Sequence, residues 1–253
     1  MNQKIKKFWD LSFYLAKSGF KLRNEGSYLG IVWYLLNPIL FFCLLFIVSS
    51  QSLGSEIENY AIYLFIGIIM FNYFQSITIE STELIKNNRG LFKSINFSKS
   101  AFILGNTLKF LFSHLLEFLV LILFASIIKE NISNVLTYPL ILIFFTLFTL
   151  GISLLLSSIC IFFVDTKNIW IFISKLIWFG TPIFYRIKEG TLIYKVNLLN
   201  PLYYFIEITR EIIIYNRLPN LQIISIGILF SISTLILGLI IFEKLKYKIM
   251  ERI

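Results

Sequence analysis

Charged side chains are scarce in this 253-residue chain, with Asp, Glu, Lys and Arg making up 15% of it against 57% hydrophobic residues. Ordinary soluble domains carry about 25% charged residues, so a soluble globular fold is excluded and the chain belongs in a bilayer. Cysteine and histidine are scarcer still. Cys43 and Cys160 sit in separate apolar stretches, which makes a disulfide framework or a thiolate metal site a poor reading and two inert, buried thiols the expected one. His114 alone cannot assemble a zinc site. Also missing are the GxxxxGK[ST] phosphate loop and the GxSxG, HExxH and CxxC patterns, so the chain is expected to cradle no nucleotide and to be no enzyme. A spanning helix needs about 20 mostly apolar residues. The length therefore holds about five to seven spans and excludes a fused ATPase, a kinase or a large receptor module.

What is present is apolar sequence in long runs, at about 29–50, 60–79, 101–128, 138–164, 168–185 and 220–242, which predict six transmembrane helices. The formal charge of +9 lies between these runs without forming a basic, aromatic-interleaved surface. Anionic lipid headgroups, and not nucleic acid, are its expected counterpart. Lys4, Lys6, Lys7, Lys17, Lys21 and Arg23 precede the first run. Lys86, Arg89, Lys93 and Lys99 separate the second from the third, and Lys244, Lys246, Lys248 and Arg252 follow the last. The intervening connections are poor in cations, so both termini are expected in the cytoplasm. Phe8, Trp9 and Asp10 interrupt the N-terminal sequence too early for a cleavable signal, and it reads as retained.

Residues 186–218 resist a seventh span. Glu207, Arg210 and Glu211 would each cost about 2.5–3.5 kcal/mol at the centre of a lipid-exposed helix. A seventh crossing would also put the basic tail outside. The stretch 188–215 is accordingly expected to form an external, membrane-dipping pair of short helices broken near Asn200-Pro201. Residues 4–21 place Ile5, Phe8, Trp9, Ser12, Ala16 and Phe20 near helical spacing, predicting an amphipathic helix along the cytoplasmic interface. No internal repeat or composition break divides the chain. One membrane domain, 1–253, is expected: an interface helix (1–28), spans one to five (29–185), an external segment (186–218), and the sixth span with its tail (219–253).

Ionisable residues inside the runs concentrate on the third, as Lys109, His114 and Glu117. His114 and Glu117 are three apart and can touch, whereas Lys109 and Glu117 are about 12 Å apart along the axis and need other partners. Two readings stay open. Either Lys109 snorkels while the other two satisfy each other, or the trio lines a hydrated path. The aromatics, at 17% of residues, form interfacial belts or rings on which sugar C–H faces stack.

The segment Leu22-Arg23-Asn24-Glu25-Gly26-Ser27-Tyr28-Leu29-Gly30-Ile31-Val32-Trp33-Tyr34-Leu35-Leu36-Asn37-Pro38 resembles the lead-in to the first span of permease subunits of polysaccharide ABC exporters, which move O-antigen, capsule or teichoic-acid polymers. Thr181-Pro182-Ile183-Phe184-Tyr185 is similar to the end of that family's fifth helix. Leu199-Asn200-Pro201-Leu202, followed by Glu207 and Arg210, is similar to its external gate. The chain departs from the family in having no proline over 88–97 and in Val164-Asp165, where Arg commonly precedes the Asp. In this chain's own chemistry, Gly26 and Gly30 permit a sharp turn before the first span, and Pro38 can kink it.

The resemblance implies an all-α integral membrane permease in the bacterial cytoplasmic membrane, with six transmembrane helices, an N-terminal amphipathic interface helix and re-entrant gate helices. It implies a second copy of the chain as partner and two separate ATPase subunits that bind ATP and magnesium, with no cofactor on this chain. The cargo is a polysaccharide on a polyprenyl diphosphate. Loop 81–98 becomes a coupling element in place of a solvated basic turn, with Glu83, Lys86, Arg89 and Phe92 as its residues. Trp33, Tyr34, Phe41, Trp178 and Tyr185 become the conduit, and Asn200, Pro201, Tyr203 and Glu207 the external gate. Lys17, Lys21 and Arg23 serve the diphosphate, or equally the membrane surface, through charge-assisted hydrogen bonds. The alternatives are a related permease for drugs or small lipids and an ion- or proton-coupled carrier.

Overall fold

A backbone deprived of water must bond to itself, and in the computed structural model all regular structure among the described residues is helical. The structure describes residues 3–24, 28, 30, 32–94, 98–127, 133–163 and 165–252. Six helices fall on the six expected runs: α2 (Val32–Ser49), α3 (Tyr60–Ser81), α6 (Lys99–Ile127), α7 (Tyr138–Ile159), α8 (Thr166–Gly180) and α11 (Leu221–Arg252). Before them lies α1 (Gln3–Asn24), while α4 (Leu84–Asn87) and α5 (Arg89–Ser94) occupy the expected coupling loop. A 3₁₀ turn, Ser133–Thr137, leads into α7, and α9 (Leu192–Asn197) and α10 (Pro201–Ile213) stand between α8 and α11. Four of these segments are long and apolar enough to cross a bilayer: Tyr60–Ser81, Lys99–Ile127, Asn134–Ile159 and Leu221–Lys246. The chain is thus an all-α, multi-pass membrane protein. In α2 the apolar part, Leu35–Ser49, is shorter.

Two runs end earlier than expected. Helix α7 stops at Ile159 and not near 164, where the hydroxyls of Ser157 and Ser158 both donate to the Leu154 carbonyl, at 3.1 and 2.7 Å; such side-chain bonds compete with the helical ladder. Helix α8 stops at Gly180 and not at 185, because the ring of Pro182 forces Thr181 into an extended conformation, φ −86° and ψ 139°. The break at Asn200-Pro201 lies where expected. The Asn200 side chain accepts from the Leu202 amide at 3.1 Å and caps α10, whose first residue, Pro201, has no amide to satisfy.

Helix α3 is the axis of the bundle, with Ile62, Leu64, Ile66, Ile68, Ile69 and Phe71 fully buried. Its neighbours are α2, α6, α7, α8 and α10. Helices α7 and α11 approach through glycines. A Cβ on Gly238 would stand 2.5 Å from the Gly151 carbonyl oxygen, and one on Gly151 would stand 2.5 Å from that of Thr234. Small residues of this kind let membrane helices meet backbone to backbone. Helix α1 lies on the first half of α6, with Ser12 and Ala16 wholly covered and the Ser12 hydroxyl near the Phe8 and Ala101 carbonyls, at 2.9 and 3.1 Å. Ile5 and Trp9, expected on its apolar face, are exposed.

The cysteines correct one expectation. Cys160 is buried, and burial pushes its thiol pKa up, away from the reactive thiolate. Cys43, however, is exposed. It lies on the outward side of α2 beside Leu40, Leu44 and Ile47, so its apolar surroundings in sequence belong to a face left uncovered among the described residues.

Candidate functional site: a polar seam along α3

Residues three and four apart share one face of a helix, and on α3 that rule aligns Asn72, Gln75, Ser76, Ile79 and Glu80. Helix α2 brings Asn37 and Phe41 to this face, and α8 brings Lys175 and Trp178. A cavity of about 400 Å³ opens between them, lined by Asn37, Phe41, Asn72, Gln75, Lys175, Trp178 and Phe179. A second, of about 420 Å³, shares Asn37, Asn72 and Gln75 with the first and adds Arg23, Trp33, Ser76 and Glu117. A third, of about 330 Å³, shares Arg23, Gln75 and Ser76 with the second and reaches Glu80, Glu83 and Lys167. The shared residues make one seam of carboxamides and charges running along a bundle that is otherwise apolar.

Aromatic and ionic contacts hold its walls. The Phe41 and Trp178 rings lie 5.5 Å apart, and Trp178 meets Phe71 edge-on at 4.8 Å. Gln75 donates to the Ser174 hydroxyl at 3.2 Å, tying α3 to α8. Lys167 donates to Glu83 at 2.7 Å, and Lys109 pairs with Glu80. The Arg23 guanidinium stands 4.6 Å from the Phe110 ring centroid.

The intramembrane trio separates. Lys109 finds its partner 29 positions earlier, on α3. His114, almost wholly buried, contacts Glu117 at 3.3 Å through Nδ1 and the Tyr138 hydroxyl at 2.5 Å through Nε2. Glu117 reaches the seam while His114 stays behind it.

Of the residues expected in the conduit, Trp33, Phe41 and Trp178 border the seam. Tyr34 stands in α2 with its side chain outside the described residues. Tyr185 is elsewhere: its hydroxyl donates to the Phe179 and Gly180 carbonyls at 2.9 and 3.1 Å and closes the end of α8. All three expected diphosphate ligands, Lys17, Lys21 and Arg23, are exposed on α1; Arg23 also borders the seam, and the two lysines border none of its three cavities. Glu83, Lys86 and Arg89 lie on or beside α4 and α5; Phe92 is in α5, its side chain outside the described residues. In the 22–38 segment Gly30 has φ 47°, a left-handed turn that suits glycine, while Glu25, Gly26, Ser27, Leu29 and Ile31 lie outside the described residues.

The gate residues surround an irregular stretch, 181–188. Asn200 donates to the Thr181 hydroxyl at 2.8 Å, and Asn197 donates to the Gly180 carbonyl at 2.8 Å. Tyr203 lies edge-on to Tyr204 at 5.5 Å, and Glu207 approaches Arg210 at 4.0 Å. Arg210, which sequence reasoning treated as a charge opposing a seventh span, is completely buried. It donates to the carbonyls of Pro182 at 2.7 Å, Ile183 at 3.0 Å and Tyr63 at 3.2 Å. Tyr60 and Tyr63 take the next two carbonyls, of Phe184 and Tyr185, both at 2.9 Å. Four successive carbonyls outside any helix are thus satisfied by side chains, which is what irregular backbone inside a membrane bundle requires.

A polar seam in a multi-pass helical bundle, with helices broken beside it, defines a membrane transport component. The profile of the ABC-2 type transporter family matches residues 11–214, and the chain belongs to that family. It is similar to an O-antigen export system permease protein RfbA of Klebsiella pneumoniae, 29% identical over 250 residues that cover 96% of this chain and 95% of the relative. A protein of the same description from Myxococcus xanthus is 23% identical over 231 residues, 87% of this chain and 89% of the relative.

Proposed function

We propose that the chain is the permease subunit of an ATP-driven exporter that carries a lipid-linked polysaccharide across the bacterial cytoplasmic membrane. The single observation that carries this reading is the polar seam. Asn37, Asn72 and Gln75 each offer a donor and an acceptor, matching sugar hydroxyls with neutral, exchangeable hydrogen bonds that let a polymer slide. Trp33, Phe41 and Trp178 add ring faces for pyranose C–H surfaces. Relatives described as O-antigen export permeases along nearly the whole chain support the same cargo.

In this reading α2 and α8 turn their exposed apolar residues, among them Leu40, Leu44, Phe172 and Leu176, toward a second copy, and the two seams enclose the path. Six helices span, both termini are cytoplasmic, and α9 and α10 form the external gate. Two nucleotide-binding subunits supply ATP and magnesium. They dock on α4 and α5, where Glu83, Lys86, Arg89 and Phe92 receive the stroke and Lys167, paired to Glu83, passes it to α8. Arg23 at the mouth of the seam takes the diphosphate through charge-assisted hydrogen bonds.

Deleting the gene is expected to abolish surface polysaccharide while its lipid-linked precursor accumulates inside, with wild-type sequence restoring export. Unchanged surface polymer together with a new drug or lipid sensitivity would turn the reading to the smaller-cargo permease. Uphill transport by the purified chain with no nucleotide hydrolysed would turn it to the ion-coupled carrier.

A further inference from the structure

Beneath α1 lies a cavity of about 460 Å³ that shares only Glu80 with the polar seam, within the roughly 300–1,000 Å³ of small-molecule sites. Its walls come from α1, α3, α4, α5 and α6, and they are mostly apolar, with Leu11, Leu15, Leu84, Leu91 and Phe102 prominent. Ser18, Glu80, Asn88, Asn106 and Lys109 interrupt the apolar wall. Lys109 is engaged with Glu80. Asn106, only 5% exposed, has a side-chain Nδ2 with no hydrogen-bond partner among the described residues.

A buried amide donor left without an acceptor is costly, on the order of 1–3 kcal/mol, and native proteins seldom tolerate one unless something fills the role. The missing partner must accept, since Nδ2 only donates. It must also be carried on a largely apolar body, since most of the wall is hydrocarbon and its one carboxylate, Glu80, is already paired with Lys109. The cavity mouth gives the source. Tyr14 and Leu22, on its rim, are 71% and 62% exposed, on the same amphipathic helix whose Ile5, Trp9 and Phe13 are uncovered. An amphipathic helix with such a face lies in the headgroup region of a bilayer. The rim therefore opens onto lipid.

We propose that this cavity holds one glycerophospholipid from the surrounding bilayer, its acyl chain along Leu11, Leu15 and Phe102 and a phosphate or ester oxygen accepting from Asn106 beside Lys109. Because the walls belong to α1, α6 and the α4–α5 segment together, the bound lipid is a wedge that sets how α1 lies against the expected coupling helices. The site is independent of the exported cargo, so its failure and the failure of the export reading are distinguishable.

The test uses the full chain, purified in mild detergent, delipidated and titrated with dioleoyl phosphatidylglycerol under native mass spectrometry. One lipid per chain is expected to persist after other adducts are stripped. Asn106→Leu removes the donor and is expected to weaken retention about tenfold, the scale of one charge-assisted hydrogen bond. Ser18→Phe narrows the cavity from α1 and is expected to do the same with the melting temperature unchanged. Retention equal in wild type and both variants would overturn the proposal. So would retention of undecaprenyl phosphate in preference to phosphatidylglycerol, which would make the cavity a cargo site.

Discussion

Arg210 holds its guanidinium carbon 3.3 Å from the centroid of the Tyr63 ring, although the two residues are 147 positions apart in the chain. The contact joins α10 to α3 and brings the guanidinium to the Pro182 and Ile183 carbonyls. Gly67 makes the room: a Cβ there would meet Arg210 Nη2 at 3.1 Å and the Ile183 side chain at 3.0 Å. Replacing Arg210 with Met keeps much of the volume but, among the described residues, leaves the Ile183 carbonyl without a donor and the Pro182 carbonyl with only the Tyr63 hydroxyl at 3.4 Å. The expected cost is about 3 kcal/mol, read as a lowered melting temperature of the purified chain in detergent. Arg210→Lys should recover only part, because an ammonium lacks the planar fork that spans the three carbonyls.

A glycine in the α7–α11 contact contrasts with one at the end of α8. Gly238→Leu drives a side chain into the Gly151 backbone, and overpacking of this kind costs about 1–3 kcal/mol. Gly180→Ala meets nothing within 4 Å and is expected to stay within about 0.5 kcal/mol of wild type. Equal melting temperatures for Gly238→Leu and wild type would mean that α11 does not pack on α7 through Gly151.

The helices are legible in the sequence because hydrocarbon leaves the backbone few options, and six long apolar runs are six helices with ends within a few residues for most. Signals for the exceptions were present. Pro182 foretells the end of α8 at Gly180, and Asn200-Pro201 marks both a cap and a helix start. The seam is half legible: Asn72, Gln75 and Ser76 show the spacing of one helical face, but two carboxamides and a hydroxyl in an uncharged run do not by themselves distinguish a lined path from packed helices. The partners of Lys109 and Arg210 were not legible. Glu80 is on another helix, and the acceptors of Arg210 are backbone carbonyls, which no pattern of side chains announces.

Arg23 separates the cargo role from the lipid-surface role of the cations at the N-terminal end. It borders the polar seam, whereas Lys17 and Lys21, earlier on α1, border none of its three cavities. Arg23→Ala is therefore expected to lower surface polysaccharide several-fold, on the scale of a lost charge-assisted contact, with accumulation of the lipid-linked precursor. Lys17→Ala and Lys21→Ala should leave both nearly unchanged. Equal effects from all three would assign the group to the headgroup surface.

The carboxamides test the path itself. Asn72→Ala and Gln75→Ala remove exchangeable hydrogen-bonding groups from side chains that are only partly buried, so folding should change little. Gln75 also loses its bond to Ser174, a neutral contact of about 1 kcal/mol. Export in the double variant is expected to fall about tenfold while expression holds. Asn72→Ser, which puts a hydroxyl that both donates and accepts in place of the carboxamide, should be the mildest replacement.

The Glu83–Lys167 pair discriminates coupling from mere stability. Both side chains are 39% exposed, and an ion pair this open contributes about 0–1 kcal/mol to folding. Charge reversal at one end, Glu83→Lys, should therefore barely move the melting temperature. If the pair carries motion from the α4–α5 segment to α8, the same reversal should nonetheless cut export severely, because two like charges push apart the helices that must move together. Adding Lys167→Glu restores an attractive pair with exchanged polarity and is expected to recover export in part, short of full recovery where the ATPase subunit reads Glu83 directly. Export is measured as surface polysaccharide against lipid-linked precursor in cells carrying each single variant and the double. A double variant no better than the worse single would break the link between α4 and α8 and leave Glu83 as a docking contact alone.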